Sequence, residues 1–197
     1  MQLPDEIGIM VLPETVLFPH SVQPLHIFEP RYRQMLLEAL MGSRMFAVIS
    51  QGEHNVPVSS GIAGVGYVRT AVQNSDGTSN ILLQGYSRVV FEDYTQISPY
   101  YKGRPRQLEE SHEDKEDNEI LARHLVSKIL EIKETKQAIK GDVKEFLNKI
   151  TDFHMLADII AGTLVRNHLN RQRLLEMTTL SERLPFLVDS LRDEYSI

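Results

Sequence analysis

An aspartate–glycine pair at positions 76 and 77 separates two long apolar segments, GIAGVGYVRTAVQ and ILLQGYSRVVFEDY. Asp-Gly readily supplies the positive φ that a tight turn between twisted strands requires, so the stretch reads as strand, turn, strand. Alternation in the first segment puts Ile62, Val68 and Val72 on one face and Arg69 and Gln73 on the other. Upstream, Pro4, Pro13, Pro19, Pro24 and Pro30 cut the chain into short runs such as IGIMVL and VQPLHIF. Runs that short suit strands and turns, because proline removes a ladder donor and rarely sits in a central strand. MFAVIS, residues 45–50, reads as a buried strand.

One helix interrupts the strands. Pro30 stands where the first helical residue should be, a position that needs no N–H. Tyr32, Met35, Leu36 and Leu40 follow at helical spacing, and Gly42 is the expected stop, giving a helix near 30–41.

The pattern changes at EESHEDKEDNE, residues 109–119, which reads as a solvated acidic linker or helix start. Beyond it the period is helical. Leu121, Leu125, Ile129 and Ile132 form one stripe, with Lys128, Lys133 and Lys136 largely off it. Gly141-Asp142 breaks the pattern before a second helix through Phe146, Leu147 and Ile150. A third carries Phe153, Leu156, Ala157, Ile160 and Leu164 on one face. The last opens either at Thr179 and Glu182, a capping box, or at Pro185, which otherwise kinks it. The expected organisation is a β-rich part, residues 1–110, and an α-helical part, residues 111–197.

Composition narrows the function. No apolar run reaches membrane-spanning length, and the acidic start MQLPDEIGIM is unlike a signal peptide, so a cytoplasmic protein is expected. The absence of cysteine excludes disulfides, thiolate zinc sites and a cysteine nucleophile. The net charge of −6 divides evenly between the two parts, whereas nucleic-acid binding normally needs a basic domain. There is no phosphate-binding G-x-x-x-x-G-K-[ST], no H-E-x-x-H and no G-x-S-x-G. GIAGVG has the wrong glycine order for a dinucleotide fingerprint. No two of the seven histidines share the i, i+3 or i+4 spacing of helical metal ligands. Neither a metal nor a cofactor is implied.

Three clusters carry charge. FPHSVQPLHIFEPRYRQML holds His20, His26, Glu29, Arg31 and Arg33, which read as solvated or paired groups around a helix start. YYKGRPR, Tyr100, Tyr101, Lys102, Arg104 and Arg106 among them, interleaves aromatics with cations as a single-stranded RNA site would. RNHLNRQR, residues 166–173, offers cations near a helix C-terminus. Solvated surface accounts for the last two as well.

Several of these stretches together resemble the N-terminal domain of ATP-dependent Lon proteases, in particular its stand-alone form. The resemblance rests on Val16 to Pro19, Leu25 to Met35, the Gly64-Val65-Gly66-Tyr67-Val68 strand, DGTSNILLQGYSRVVFEDY, and the closing RQRLLEMTTLSERLPFLVDSLRDE. It covers essentially the whole chain. It implies an α+β fold, a PUA-like and mostly β pseudo-barrel followed by a C-terminal helical bundle. It also implies a non-catalytic module that recognises unfolded or tagged polypeptides, or that serves a protease or chaperone partner. No catalytic residue carries over.

On this reading, polypeptide contact falls to aromatics and methionines not committed to the core, and Phe18, Tyr32, Met35, Tyr67 and Tyr86 are the candidates. The alternative, an RNA-binding PUA-like domain, would use Tyr100, Tyr101, Lys102, Arg104 and Arg106. A hydrolase would require a pocket joining His20, His26 and Glu29. The bound polypeptide and the oligomeric state are not legible in the sequence.

Overall fold

Two strands read from IGIMVL and MFAVIS set the frame of the N-terminal unit. They are β1 (Ile7–Leu12) and β3 (Met45–Ser50), which pair in parallel from Ile9 opposite Ala47 to Leu12 opposite Ser50. Parallel neighbours need a crossover. Here it contains strand β2 (Val22–Ile27) and helix α1 (Pro30–Met41). The long ribbon follows as β4 (Ile62–Gln73) and β5 (Ser79–Val90). Three short strands close the unit: β6 (Tyr94–Gln96), β7 (Tyr101–Gly103) and β8 (Arg106–Gln107). The sheet order is β2-β5-β4-β3-β1-β7-β6, with β8 also paired to β5. The computed structural model describes residues 2–111, 115–130 and 141–195, and it divides into the units Met1–Leu108 and Glu109–Ile197.

Every residue of β3 is buried, as a strand covered on both faces must be. One face joins Met10, Phe46, Val48, Val68 and Leu83 to Tyr32, Met35 and Leu36 of α1. The other gathers Ile7, Ile9, Met45, Ala47, Ile49 and Val65. The Tyr32 hydroxyl ties α1 to β1, donating to the Val11 carbonyl at 3.0 Å and accepting from the Val11 N–H at 3.1 Å. Pro30 starts α1 as expected and Gly42 ends it. The left-handed residue beyond is Arg44, at φ 62°, whose N–H returns to the Ala39 carbonyl.

The VLFP run crosses the ribbon. A Cβ on Gly64 would overlap the Leu17 carbonyl oxygen, and one on Gly85 the Phe18 carbonyl oxygen. Reciprocal main-chain bonds fix the crossing: His20 N–H to Gly85 at 3.1 Å and Gly85 N–H to Ser21 at 2.8 Å. The ribbon turns through residues 74–78, with Gly77 at φ 81°. Its alternation is broken by a register shift between Val68 and Thr70. An extra residue on one strand reverses which side chains face the core. Val68 is therefore buried while Val72 lies 56% exposed, so the two do not share a face as the sequence pattern had it.

The C-terminal unit contains α2 (Lys115–Ile129), α3 (Gly141–Lys149), α4 (Phe153–Leu164), α5 (His168–Glu176) and α6 (Leu180–Tyr195). The stripes Leu125, Ile129, Leu156, Ala157 and Ile160 are buried with Leu184, Leu187 and Leu191 of α6. Ile132, Lys133 and Lys136 lie outside the described residues. α6 begins after Thr179, whose hydroxyl donates to Glu182 at 2.9 Å, and it continues through Pro185. The acidic run is not wholly solvated: Glu110 accepts from Arg183, which is fully buried. Arg183 also donates to Asp158 at 3.4 Å and to the Met177 carbonyl at 2.6 Å, and His154 Nδ1 stands 3.2 Å from Glu110.

Candidate functional site

The outward face of β2, β5 and β4 is apolar where a sheet face open to water is usually polar. Strand alternation places Val22, Pro24 and His26 on it from β2, and Phe28 continues the row with its ring stacked 6.0 Å from that of His26. Cross-strand register builds two lines, Pro24–Leu82–Thr70 and His26–Asn80–Val72. Val22, Phe28, Val72 and Leu82 are between 41% and 60% exposed. Val72 and Leu82 line a shallow hollow of about 430 Å³ together with Pro24, His26, Thr70 and Asn80. The polar groups here are few and held in place, with His26 Nδ1 2.8 Å from Asn80 Oδ1. An exposed apolar cluster with a small number of fixed hydrogen-bonding groups is the usual make-up of a protein-contact surface.

The inward face of the same ribbon forms a second concavity with α1, of about 560 Å³, between Arg33, Leu37 and Leu40 on the helix and Ala71, Gln73 and Ser79 on the strands. The tip of the ribbon thus carries a concave surface on each side, the inner one mixing leucines with Arg33, Gln34, Gln73 and Ser79.

A family model described as the ATP-dependent protease La (LON) substrate-binding domain matches residues 6–193. The chain belongs to that family. It is 26% identical to Lon protease 2 of Herpetosiphon aurantiacus, over 98% of this chain and 24% of that protein. Against the Lon proteases of Rhizobium meliloti and Escherichia coli K12, identity is 27% and 26%, again over about a quarter of each relative's length. Among solved structures, the N-terminal domain of Mycobacterium avium complex Lon protease superposes with a TM-score of 0.77 at 18% identity, covering 95% of this chain and 98% of that one. A Lon N-terminal domain protein from Xanthomonas campestris gives 0.68 at 18% identity, covering 93% and 97%. These two likenesses establish the fold, and the α+β architecture expected from the sequence is the one found.

Within this LON substrate-binding domain the five residues singled out for polypeptide contact do not assemble on one surface. Tyr32 and Met35 are buried in the sheet–helix core and Phe18 is fully buried as well, so all three are sealed from any ligand on the sheet. Tyr67 and Tyr86 are half-buried against the other core cluster, Tyr67 beneath the Arg44 guanidinium at 5.8 Å. The apolar side chains left exposed on the sheet face are instead Val22, Pro24, Phe28, Val72 and Leu82. The signal was present in VQPLHIF, which is apolar at both odd and even positions and so cannot bury every apolar side chain on one face.

The aromatic–basic spot is largely spent. Tyr100 is buried, and its hydroxyl donates to Glu38 at 2.5 Å. Lys102 donates to the same carboxylate at 2.8 Å. The Lys102 and Tyr100 hydrogen bonds hold the Glu38 carboxyl down to about 2. Arg106 pairs with Glu92 at 2.7 Å, and Tyr101 packs edge-on to Tyr94, which leaves Arg104 exposed. The second basic run spans the helix α5 from its start to its last turn: Asn167 caps α5, Glu194 accepts from the Arg166 and Asn167 N–H groups at 2.7 and 3.0 Å, and Arg173 stands in the last turn, where a cation was expected. His26, Glu29 and His20 are each committed separately, to Asn80, to Arg31 and to a left-handed turn at Gly85. Among the described residues no group of three potential ligands is placed for a metal ion, and no helix is long and apolar enough to cross a membrane.

Proposed function

We propose that the chain is a non-catalytic polypeptide-binding module that holds extended, apolar-rich segments on the β2–β5–β4 face. The observation carrying this reading is the exposure of Val22, Phe28, Val72 and Leu82 together on a single strand face. The family description and the Lon relatives support it. The chain spans about a quarter of those proteases, so delivery of the bound segment to a protease or chaperone, with this chain as adaptor in the cytoplasm, is part of the proposal. Pro24 removes a main-chain donor from the edge strand β2, which works against strand addition and favours side-chain contact across the face. Nothing supports the RNA reading, since Lys102 and Arg106 are ion-paired.

The test is binding of reduced, alkylated casein to the protein and to Leu82→Glu and Val72→Glu. Each buried aliphatic contact contributes about 1.5–3 kcal/mol, so each variant should weaken binding about tenfold or more. The folded state should be unchanged, because both side chains face water, and wild-type affinity should be similar at low and high salt. Unaltered binding by both variants, or a steep loss of affinity with salt, would overturn the proposal.

A further inference from the structure

The second concavity differs from the sheet face in one respect: it contains a charge. Among the described residues Arg33 is the one ionisable side chain on its walls, and no carboxylate lines it. The other cations around α1 and the ribbon are engaged, Arg31 with Glu29, Lys102 with Glu38, Arg44 with the Val68 carbonyl and Arg69 with Gln84. The Arg33 guanidinium has no hydrogen-bond or ion-pair partner among the described residues; it rests over Gly77, where a Cβ would overlap it. It also stands in the first turn of α1, which contains no acidic residue. A cation there is opposed by the helix dipole, so an incoming anion would gain from both.

The order of residues along the wall selects the ligand. Pro30 precedes Arg33, and Leu37 and Leu40 follow it on the same side of α1. A chain lying along the helix meets apolar, positive and apolar surface in turn. Residues 30 to 40 rise about 15 Å, the reach of roughly four or five extended residues. Gln73 and Ser79 on the opposite wall offer hydrogen bonds to a main chain.

We infer that this groove binds a short polypeptide segment in which one internal aspartate or glutamate is flanked by aliphatic residues, its carboxylate held by Arg33. The inference rests on the polypeptide-binding reading and adds a second subsite with its own sequence preference, on the opposite side of the ribbon. It is tested with an N-terminally dansylated peptide GSLVELVGS, amidated at its C-terminus so that the glutamate is its single carboxylate, and with its Glu→Gln and Glu→Lys counterparts. The wild type should bind the glutamate peptide about fivefold more tightly than the glutamine peptide, the yield of one partly exposed ion pair. Arg33→Gln should erase that preference, Arg33→Glu should transfer it to the lysine peptide, and Leu37→Ala should weaken all three. Equal binding of the glutamate and glutamine peptides, a preference that survives both Arg33 variants, or no peptide binding by a protein that does bind casein would overturn it. Failure of casein and peptides alike would instead remove the polypeptide reading itself. Loss of casein binding in Leu82→Glu with the glutamate preference intact would show two separate subsites.

Discussion

Gly85→Ala asks whether the VLFP crossing holds the N-terminal unit together. The added methyl must occupy the space of the Phe18 carbonyl oxygen, which belongs to backbone and cannot swing aside. To make room, the chain must lift off β5 and give up the bonds from His20 to Gly85 and from Gly85 to Ser21. Two such bonds are worth about 0.5–1.5 kcal/mol each. Overfilling a packed site costs about 1–3 kcal/mol more. The sum, about 2–6 kcal/mol, is a large part of the roughly 5–15 kcal/mol that holds a domain folded. At about 4–8 °C per kcal/mol for a unit of this size, the melting temperature should fall by about 10 °C or more. Tyrosine fluorescence isolates the relevant unit, because six of the seven tyrosines precede residue 109. A tyrosine-detected transition within about 2 °C of wild type would refute the reasoning.

Arg183→Met removes the buried cation from Asp158, which is 1% exposed, and from Glu110. Leaving that carboxylate uncompensated should cost about 3–5 kcal/mol, read as a lowered urea midpoint of the helical signal, and adding Asp158→Leu should recover most of it. Glu38 gives a pH dependence of known sign. Its folded-state value, about 2, lies below the ordinary 4.5, so its contribution is present above about pH 4.5 and fades as the pH falls through 2. Since the side chain is 40% exposed, solvent keeps the effect small. Glu38→Gln should flatten the acid side of the stability profile between those two values and leave its slope above pH 5 unchanged, as chemical denaturation across that range would show.

The parts of the fold legible in the sequence are those governed by local chemistry. Pro30 opening α1, the Asp76-Gly77 turn, the buried run MFAVIS and the α4 stripe each follow from a backbone preference or a hydrophobic period. The strands β6, β7 and β8 were not legible, because each is two or three residues long and exists through its partners. The glycines of GVG and QGY could be seen but not explained until the VLFP carbonyls were found against Gly64 and Gly85. The place of Val72 on the candidate surface was hidden for a physical reason. Counting by twos through β4 assigns Val72 to the core, and the shift after Val68 reverses the phase, a long-range property of the β4–β5 pairing with no mark in either strand. Likewise Glu110 reads as one more surface acid until Arg183, far along the chain, is seen to bury its charge beside it.

The central claim is that polypeptide meets the β2–β5–β4 face. It is tested most directly by placing a photoreactive benzoylphenylalanine at Val72 and, separately, at Leu169, then illuminating each protein with casein. Both positions are exposed, 56% and 62% respectively, and apolar, so general stickiness would mark them equally. The face described here requires adducts from position 72 that excess unlabelled casein suppresses, and few from position 169. Equal adducts at both positions, or adducts at 169 alone, would contradict it.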